Sequence, residues 1–218
     1  MEEKEYEKAV ITLSKDALSQ LRPADYSGRI VVIDKPDGIE EAVEDLRKSE
    51  IIGFDTETRP SFKKGLLYNV SLIQLATKDS CYLFRTNLIG YPRPLIELLE
   101  DPQILKIGLS IHDDFHNLKR VTELEPAGFI DLQSFVKDYK IIDNSLSKVY
   151  GILFDERISK GQRLTNWECT ELTKAQQTYA ALDAYACIRI YEFLKSNKFD
   201  PKKSRYLCLP PEPEEIKI

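Results

Sequence analysis

Asp55-Thr56-Glu57 is the first place along the chain where side chains could do chemistry together. It follows the unbroken apolar run Ile51-Ile52-Gly53-Phe54, the pattern of a strand covered on both faces. Side chains at i and i+2 of a strand share a face, so the two carboxylates would lie side by side at the strand's end. Two negative charges that close raise each other's proton affinity unless a cation sits between them. A hard divalent cation, Mg2+ or Mn2+, takes oxygen ligands of this kind. A second acidic group, His112-Asp113-Asp114, follows the strand-like Ile104-Leu105-Lys106-Ile107-Gly108-Leu109. The carboxyl end of a strand is where open α/β sheets place ligands. The third is Tyr179-Ala180-Ala181-Leu182-Asp183, in a helical stretch. Residues at i and i+4 of a helix point the same way, so this hydroxyl and carboxylate can meet at one spot. Aspartate is a poor residue inside a helix, and one among alanines and leucine needs a partner that offsets its desolvation.

Each segment alone also fits a plainer role. Asp-x-Glu can end a strand in solvent, and Asp183 can lie on a polar stripe. Asp113 is the better placed of its pair to cap a helix N-terminus. His112 and His116 stand four apart on a helix but have no third ligand at diagnostic spacing, so zinc is not expected. The cysteines at 81, 169, 187 and 208 form no C-x-x-C pair and read as reduced thiols within the packing.

The elements that must position these groups follow from periodicity. Arg29 to Ile33 is β-branched and reads as a strand, followed by a helix from Asp37 or Gly38 with Ile39, Val43 and Leu46 on one stripe. Val70 to Ala76 and Cys81 to Phe84 form a hairpin across Thr77-Lys78-Asp79-Ser80. A short helix at 95–100, the strand at 104–109, a helix at 112–120, a strand at 129–131 and helices at 132–139 and 146–154 come next. A long last helix starts at Thr173, where Thr173-x-x-Gln176 is a capping box, and runs to about Leu194. The expected fold class is α/β, a mixed sheet flanked by helices. Residues 1–28 read as an N-terminal appendage with a short helix from Ser14 to Leu21 ended by Pro23, 29–196 as the globular domain, and 197–218 as a linker-like tail.

The chain's 218 residues, 42% hydrophobic, can bury a sizeable core. A net charge of −5 argues against coating nucleic acid non-specifically, though not against holding a short strand through bound cations. No stretch approaches the roughly 20 apolar residues of a membrane span, and the acidic start Met1-Glu2-Glu3-Lys4-Glu5 is unlike a signal peptide. An intracellular, cytoplasmic setting is therefore expected.

Taken together, the three acidic segments resemble the DEDD (DnaQ-like) superfamily of 3′–5′ exonucleases, in the DEDDy subgroup whose third motif carries a tyrosine. Phe54-Asp55-Thr56-Glu57 with Val70 to Leu75 is similar to the first motif. Lys106-Ile107-Gly108 through Asp114 to Leu118 is similar to the second, and Tyr179-x-x-x-Asp183 to the third. Arg163-Leu164-Thr165-Asn166-Trp167-Glu168 resembles a segment of the Werner-syndrome-type exonuclease domain and of ribonuclease D. The resemblance implies a ribonuclease H-like fold. It also implies that Asp55, Glu57, Asp114 and Asp183 hold two divalent ions, Mg2+ or Mn2+, while Tyr179 orients the attacking water. The partner would be nucleic acid with a free 3′ end, DNA favoured over RNA. The stretch after residue 196 is too short for the helical domain that usually follows in ribonuclease D, so tRNA processing is not expected. The competing readings are a catalytically silent module of the same fold that binds nucleic acid or protein, and an endonuclease. Retention of all four carboxylates speaks against the first, and Tyr179 against the second.

A substrate strand must also be held. Arg59, Lys63 and Lys64 after the first motif, and Arg157, Lys160 and Arg163 before the last helix, could meet phosphates, or could be solvated loops. Phe62, Leu66 or Trp167 could pack against terminal bases, with a core position the alternative for Trp167.

Overall fold

The computed structural model describes residues 3–210. Its centre is a six-stranded mixed sheet built from β1 (Arg29–Ile33), β2 (Ile51–Thr58), β3 (Val70–Ala76), β4 (Ser80–Phe84), β5 (Leu105–Gly108) and β6 (Phe129–Asp131). The strand order is β1-β4-β3-β2-β5-β6. The β2–β3 and β3–β4 pairs are antiparallel, and the remaining three are parallel. Helices cover both faces: α1 (Ile39–Arg47), α2 (Arg93–Glu100), α3 (Ile111–Lys119), α4 (Leu146–Phe154) and α5 (Lys174–Lys195). This is the ribonuclease H-like architecture expected from the motif order.

Alternation along the strands divides the core in two. From β3, Ile73 and Leu75 pack with Phe54 of β2 and the buried stripe Val43 and Leu46 of α1. Leu72 and Ala76, on the opposite face, pack with Ala180, Ala184 and Ile188 of α5. All seven residues of β3 are buried, including the polar Ser71 and Gln74, as a central strand covered on both faces requires. The capping box at α5 forms as read: the Thr173 hydroxyl accepts from the Gln176 N–H at 3.2 Å, and the Gln176 side chain accepts from the Thr173 N–H at 3.0 Å. Gly53 sets how closely α5 lies on β2, because a Cβ there would stand 1.9 Å from the Ala184 carbonyl oxygen. Glycine inside a strand commonly marks such an approach. Here it brings the helix residue next to Asp183 down onto the strand that carries Asp55.

The two ends of the chain differ from the sequence reading. Residues 9–13 are not a loose appendage: Ala9, Ile11 and Leu13 are buried, and Val10–Ile11 pairs antiparallel with Leu207–Cys208 from the expected tail. Asp143 holds this segment by accepting from the Leu13 N–H at 2.8 Å and the Thr12 hydroxyl at 3.0 Å. Two-residue strands carry too little pattern to be read from sequence. The short helix is present as Lys15–Gln20, capped by the Ser14 side chain. Met1, Glu2 and the tail from 211 onward lie outside the described residues. Among the described residues no helix is long and apolar enough to cross a membrane.

Gly53→Ala should destabilise the protein by about 1 to 3 kcal/mol in denaturant unfolding, the range for overpacking a tight contact. Unchanged stability would show that α5 does not need this approach.

Candidate active site

β2 runs on to Thr58, so Asp55 and Glu57 sit in its second half, and a register irregularity after Glu57 ends the regular ladder. Both project toward α5, where Asp183 points back at them from one turn beyond Tyr179. One carboxylate oxygen from each of Asp55, Glu57 and Asp183 lies within 4.8 Å of the others. Glu57 and Asp183 are 8% and 6% exposed and Asp55 is half-buried, so this is a cluster of acids largely withdrawn from water. None of the three, nor Asp114, forms a salt bridge among the described residues.

The consequence is electrostatic. Burial, then the charge of Asp183, holds Asp55 well above the usual carboxylate range, against a lowering hydrogen bond from the Thr56 backbone. Burial, then the charges of Asp55 and Asp183, pushes Glu57 up to about 10, with Arg163 opposing. Asp183 rises to about 7 through burial, moderated by a hydrogen bond from Tyr179 and by the charges of Lys160 and Arg163. Burial and the same acidic neighbours raise the Tyr179 phenol far above its ordinary value. The geometry therefore supplies a cluster of carboxyl groups with raised proton affinity, which Lys160 and Arg163 moderate without forming a salt bridge to it among the described residues. That donor set, all carboxylate oxygen, fits a hard divalent ion.

Asp114 is placed differently from the other three. It lines the same cavity, of about 400 Å3. Its carboxylate, however, accepts a short hydrogen bond from the Thr56 hydroxyl, which leaves β2 on the face opposite Asp55 and Glu57. Burial, then the charge of Asp55, raises its pKa to about 8. Asp113 is exposed, and it does not cap the helix as expected. The cap position belongs to Ser110, which takes a left-handed backbone at φ 65°, so Asp113 falls inside the first turn. Asp131 fixes that turn by accepting from the Ser110 N–H at 3.0 Å and the Gln133 N–H at 2.8 Å. Thr56 and Asp131 are the supporting residues that motif spacing missed. Asp131 did carry a signal, since an Asp between a strand and a helix is a common N-cap.

The basic and aromatic candidates separate. Lys160 and Arg163 line the cavity beside Asp183 and are exposed. Arg59 is already engaged, 3.1 Å from Glu168 and stacked 4.7 Å over the Tyr68 ring. With Lys63 and the exposed Phe62 and Leu66 it lines a neighbouring groove of about 470 Å3, whereas Lys64 lines neither cavity. Arg157 donates to the Leu21 carbonyl oxygen at 3.0 Å, away from the cavity. Trp167 is fully buried, its ring 6.1 Å from that of Tyr179, so it cannot offer a face to a base. It packs behind the tyrosine instead. The two histidines belong to no metal-holding group among the described residues.

A model of the 3′–5′ exonuclease family matches residues 30–197. The chain is 33% identical over 155 residues to the mouse bifunctional 3′–5′ exonuclease/ATP-dependent helicase WRN, a match covering 68% of this chain and 11% of that protein. It is 33% identical over 152 residues to an Arabidopsis thaliana 3′–5′ exonuclease, covering 66% of this chain and 52% of the relative. It thus spans only part of these relatives. Among solved structures, the Aedes aegypti Nibbler EXO domain superposes with a TM-score of 0.72 at 21% identity over 82% of this chain and 96% of that one. Escherichia coli RNase D superposes with a TM-score of 0.69 at 23% identity over 77% and 44%. The chain belongs to the 3′–5′ exonuclease family, a family of phosphodiester hydrolases.

Acids whose folded pKa is raised bind more protons folded than unfolded, so their contribution to stability falls as pH rises from about 4 through the raised values. Asp183→Asn removes one repelling charge. Without divalent ions its melting temperature should exceed that of wild type, and the excess should grow from about pH 5 to about pH 8. Calorimetry in chelator checks this, and a variant less stable than wild type at both pH values would contradict it.

Proposed function

We propose that this chain is a metal-dependent 3′–5′ exonuclease acting on nucleic acid with a free 3′ end, DNA in preference to RNA, by a two-metal-ion mechanism with Mg2+ or Mn2+. The observation that carries this reading is the cluster of the half-buried Asp55 with the buried Glu57 and Asp183, which forms no salt bridge among the described residues, with Asp114 on the same cavity. These four carboxylates would hold the ions. Divalent cations bound there supply a more acidic water and stabilise charge on the attacking and leaving oxygens of an in-line displacement.

The chain's own residues do the rest. Tyr179 keeps its proton, because burial and neighbouring carboxylates raise its pKa, so it acts as a donor and not as a base. Its hydroxyl can fix the direction of attack, an orienting role that does not depend on base strength. Lys160 and Arg163 stand at the exposed side of the cavity, where cations attract phosphate and backbone contact carries no sequence information. The groove with Phe62 and Leu66 offers apolar surface to unstacked bases.

The preference for DNA rests on the resemblance of the motif segments to the Werner-syndrome-type domain; identity is 33% to the WRN protein and 27% to a Gluconacetobacter diazotrophicus ribonuclease D. The RNA alternative is kept because two neighbours of the same fold are tied to RNA: Escherichia coli RNase D, an exoribonuclease, and Trypanosoma brucei RNase D, TM-score 0.70, whose structure is a complex with RNA, at 23% and 21% identity to this chain. Digestion of 5′-labelled DNA and RNA strands should give a ladder shortening from the 3′ end with Mg2+ or Mn2+ and none in chelator, with DNA cut faster. Faster RNA cleavage would reverse the substrate preference. Absence of shortening on both would leave the silent binding module as the correct reading.

Tyr179→Phe deletes one oriented hydroxyl and leaves the ring packed against Trp167. It should lower kcat by about 10- to 1,000-fold with little change in KM, the mark of an interaction made mainly in the transition state. Wild-type turnover would make the tyrosine a packing residue. Asp114→Asn should abolish hydrolysis, whereas Asp113→Asn should leave most of it, since Asp113 is exposed. The opposite pattern would move the second motif by one residue.

A further inference from the structure

Gln74 has no explanation in the fold or in the chemistry above. It is fully buried in β3, and neither its side-chain nitrogen nor its side-chain oxygen has a hydrogen-bond partner. Burying an unpaired amide is unfavourable, and a methionine or leucine would fill the same volume without that penalty. Its surroundings say where the amide can act. Leu72 and Ala76, two residues away on either side, share its face of the sheet and pack beneath α5. In register it stands between Leu83 of β4 and Asp55 of β2. Of these four flanking residues Asp55 alone is polar.

We propose that Gln74 is a positioning residue for Asp55: its amide N–H donates to the Asp55 oxygen turned away from a bound divalent cation. Directly paired residues on antiparallel strands place their Cβ atoms roughly 4.5 to 5.5 Å apart, within the reach of a glutamine side chain. A carboxylate ligand commonly needs such an outer donor, which fixes its rotation. An amide is suited to this place because it donates without bringing charge. A lysine at position 74 would pair with Asp55 and compete with the cation, and a glutamate would add to the repulsion already present. The inference rests on the reading of Asp55, Glu57, Asp114 and Asp183 as a cation site.

The test is Gln74→Met, which keeps the size of the side chain and removes both polar ends. In chelator the variant should melt at or above the wild-type temperature, because an unpaired buried amide has gone. Mn2+ titrated into the free protein without substrate should bind about 10- to 100-fold more weakly than to wild type, the usual effect of losing an outer partner of a metal ligand. A merely space-filling glutamine would leave that affinity unchanged, which would overturn the proposal. If the variant does not fold, wild-type protein decides: on adding Mg2+ the Gln74 side-chain NH2 resonance should shift and exchange more slowly with water. A signal that Mg2+ leaves in place would overturn the proposal. Failure of the wild type to bind Mn2+ or Mg2+ at all would overturn both this inference and the cation site. Tight wild-type binding that Gln74→Met does not weaken would overturn this inference alone.

Discussion

Three carboxylates held together in a largely buried cluster are the constraint around which this domain is arranged. The folded chain keeps Asp55, Glu57 and Asp183 within 4.8 Å and gives them no salt bridge among the described residues. That arrangement opposes folding, since burial and mutual repulsion both disfavour the charged forms. The rest of the sheet and α5 must outweigh it. Gly53 lets the helix backbone settle on β2, and the apolar contacts of Ala180, Ala184 and Ile188 with Leu72 and Ala76 hold it there. The unfavourable cluster thus sits beside the close approach of α5 to β2 at Gly53.

The surrounding groups divide between those that share the cavity and those engaged elsewhere. Lys160 and Arg163 lower the pKa of Asp183 without pairing with it, leaving their charge available on the open side of the cavity. Tyr179, one helical turn before Asp183 and backed by the buried Trp167, lines the same cavity and moderates the rise of the Asp183 pKa. Arg59, by contrast, is tied to Glu168 and bridges the segment after β2 to the segment before α5. The Arg85 guanidinium is fully buried and also serves the latter segment, donating to the carbonyl oxygens of Cys169 and Thr170.

The central sheet and the acidic residues were legible because each rests on a local pattern. The apolar run before Asp55, the Tyr179-to-Asp183 spacing and the Thr173-Gln176 capping box are all written within a few residues. What was hidden depended on long-range contact. Val10–Ile11 becomes strand by pairing with Leu207–Cys208, nearly the whole chain away, and through the bridge of Ile11 to Ile141. Trp167 has the composition of a base platform, and only packing against α5 removes it from the surface. The left-handed turn at Ser110 could not be anticipated either, since its anchor, Asp131, lies 21 residues on. It shifts Asp113 out of the cap position and leaves Asp114 to face Thr56.

On the proposed function, the acid cluster holds protons until divalent cations displace them. The most direct test is calorimetric titration of the wild-type protein with Mn2+ near pH 7, repeated in two buffers of different ionisation enthalpy. The raised pKa values of Glu57, Asp114 and Asp183 predict net release of protons on binding, seen as a buffer-dependent heat. Mn2+ binding with the same heat in both buffers would mean that the carboxylates are already ionised, and would contradict this account of the site.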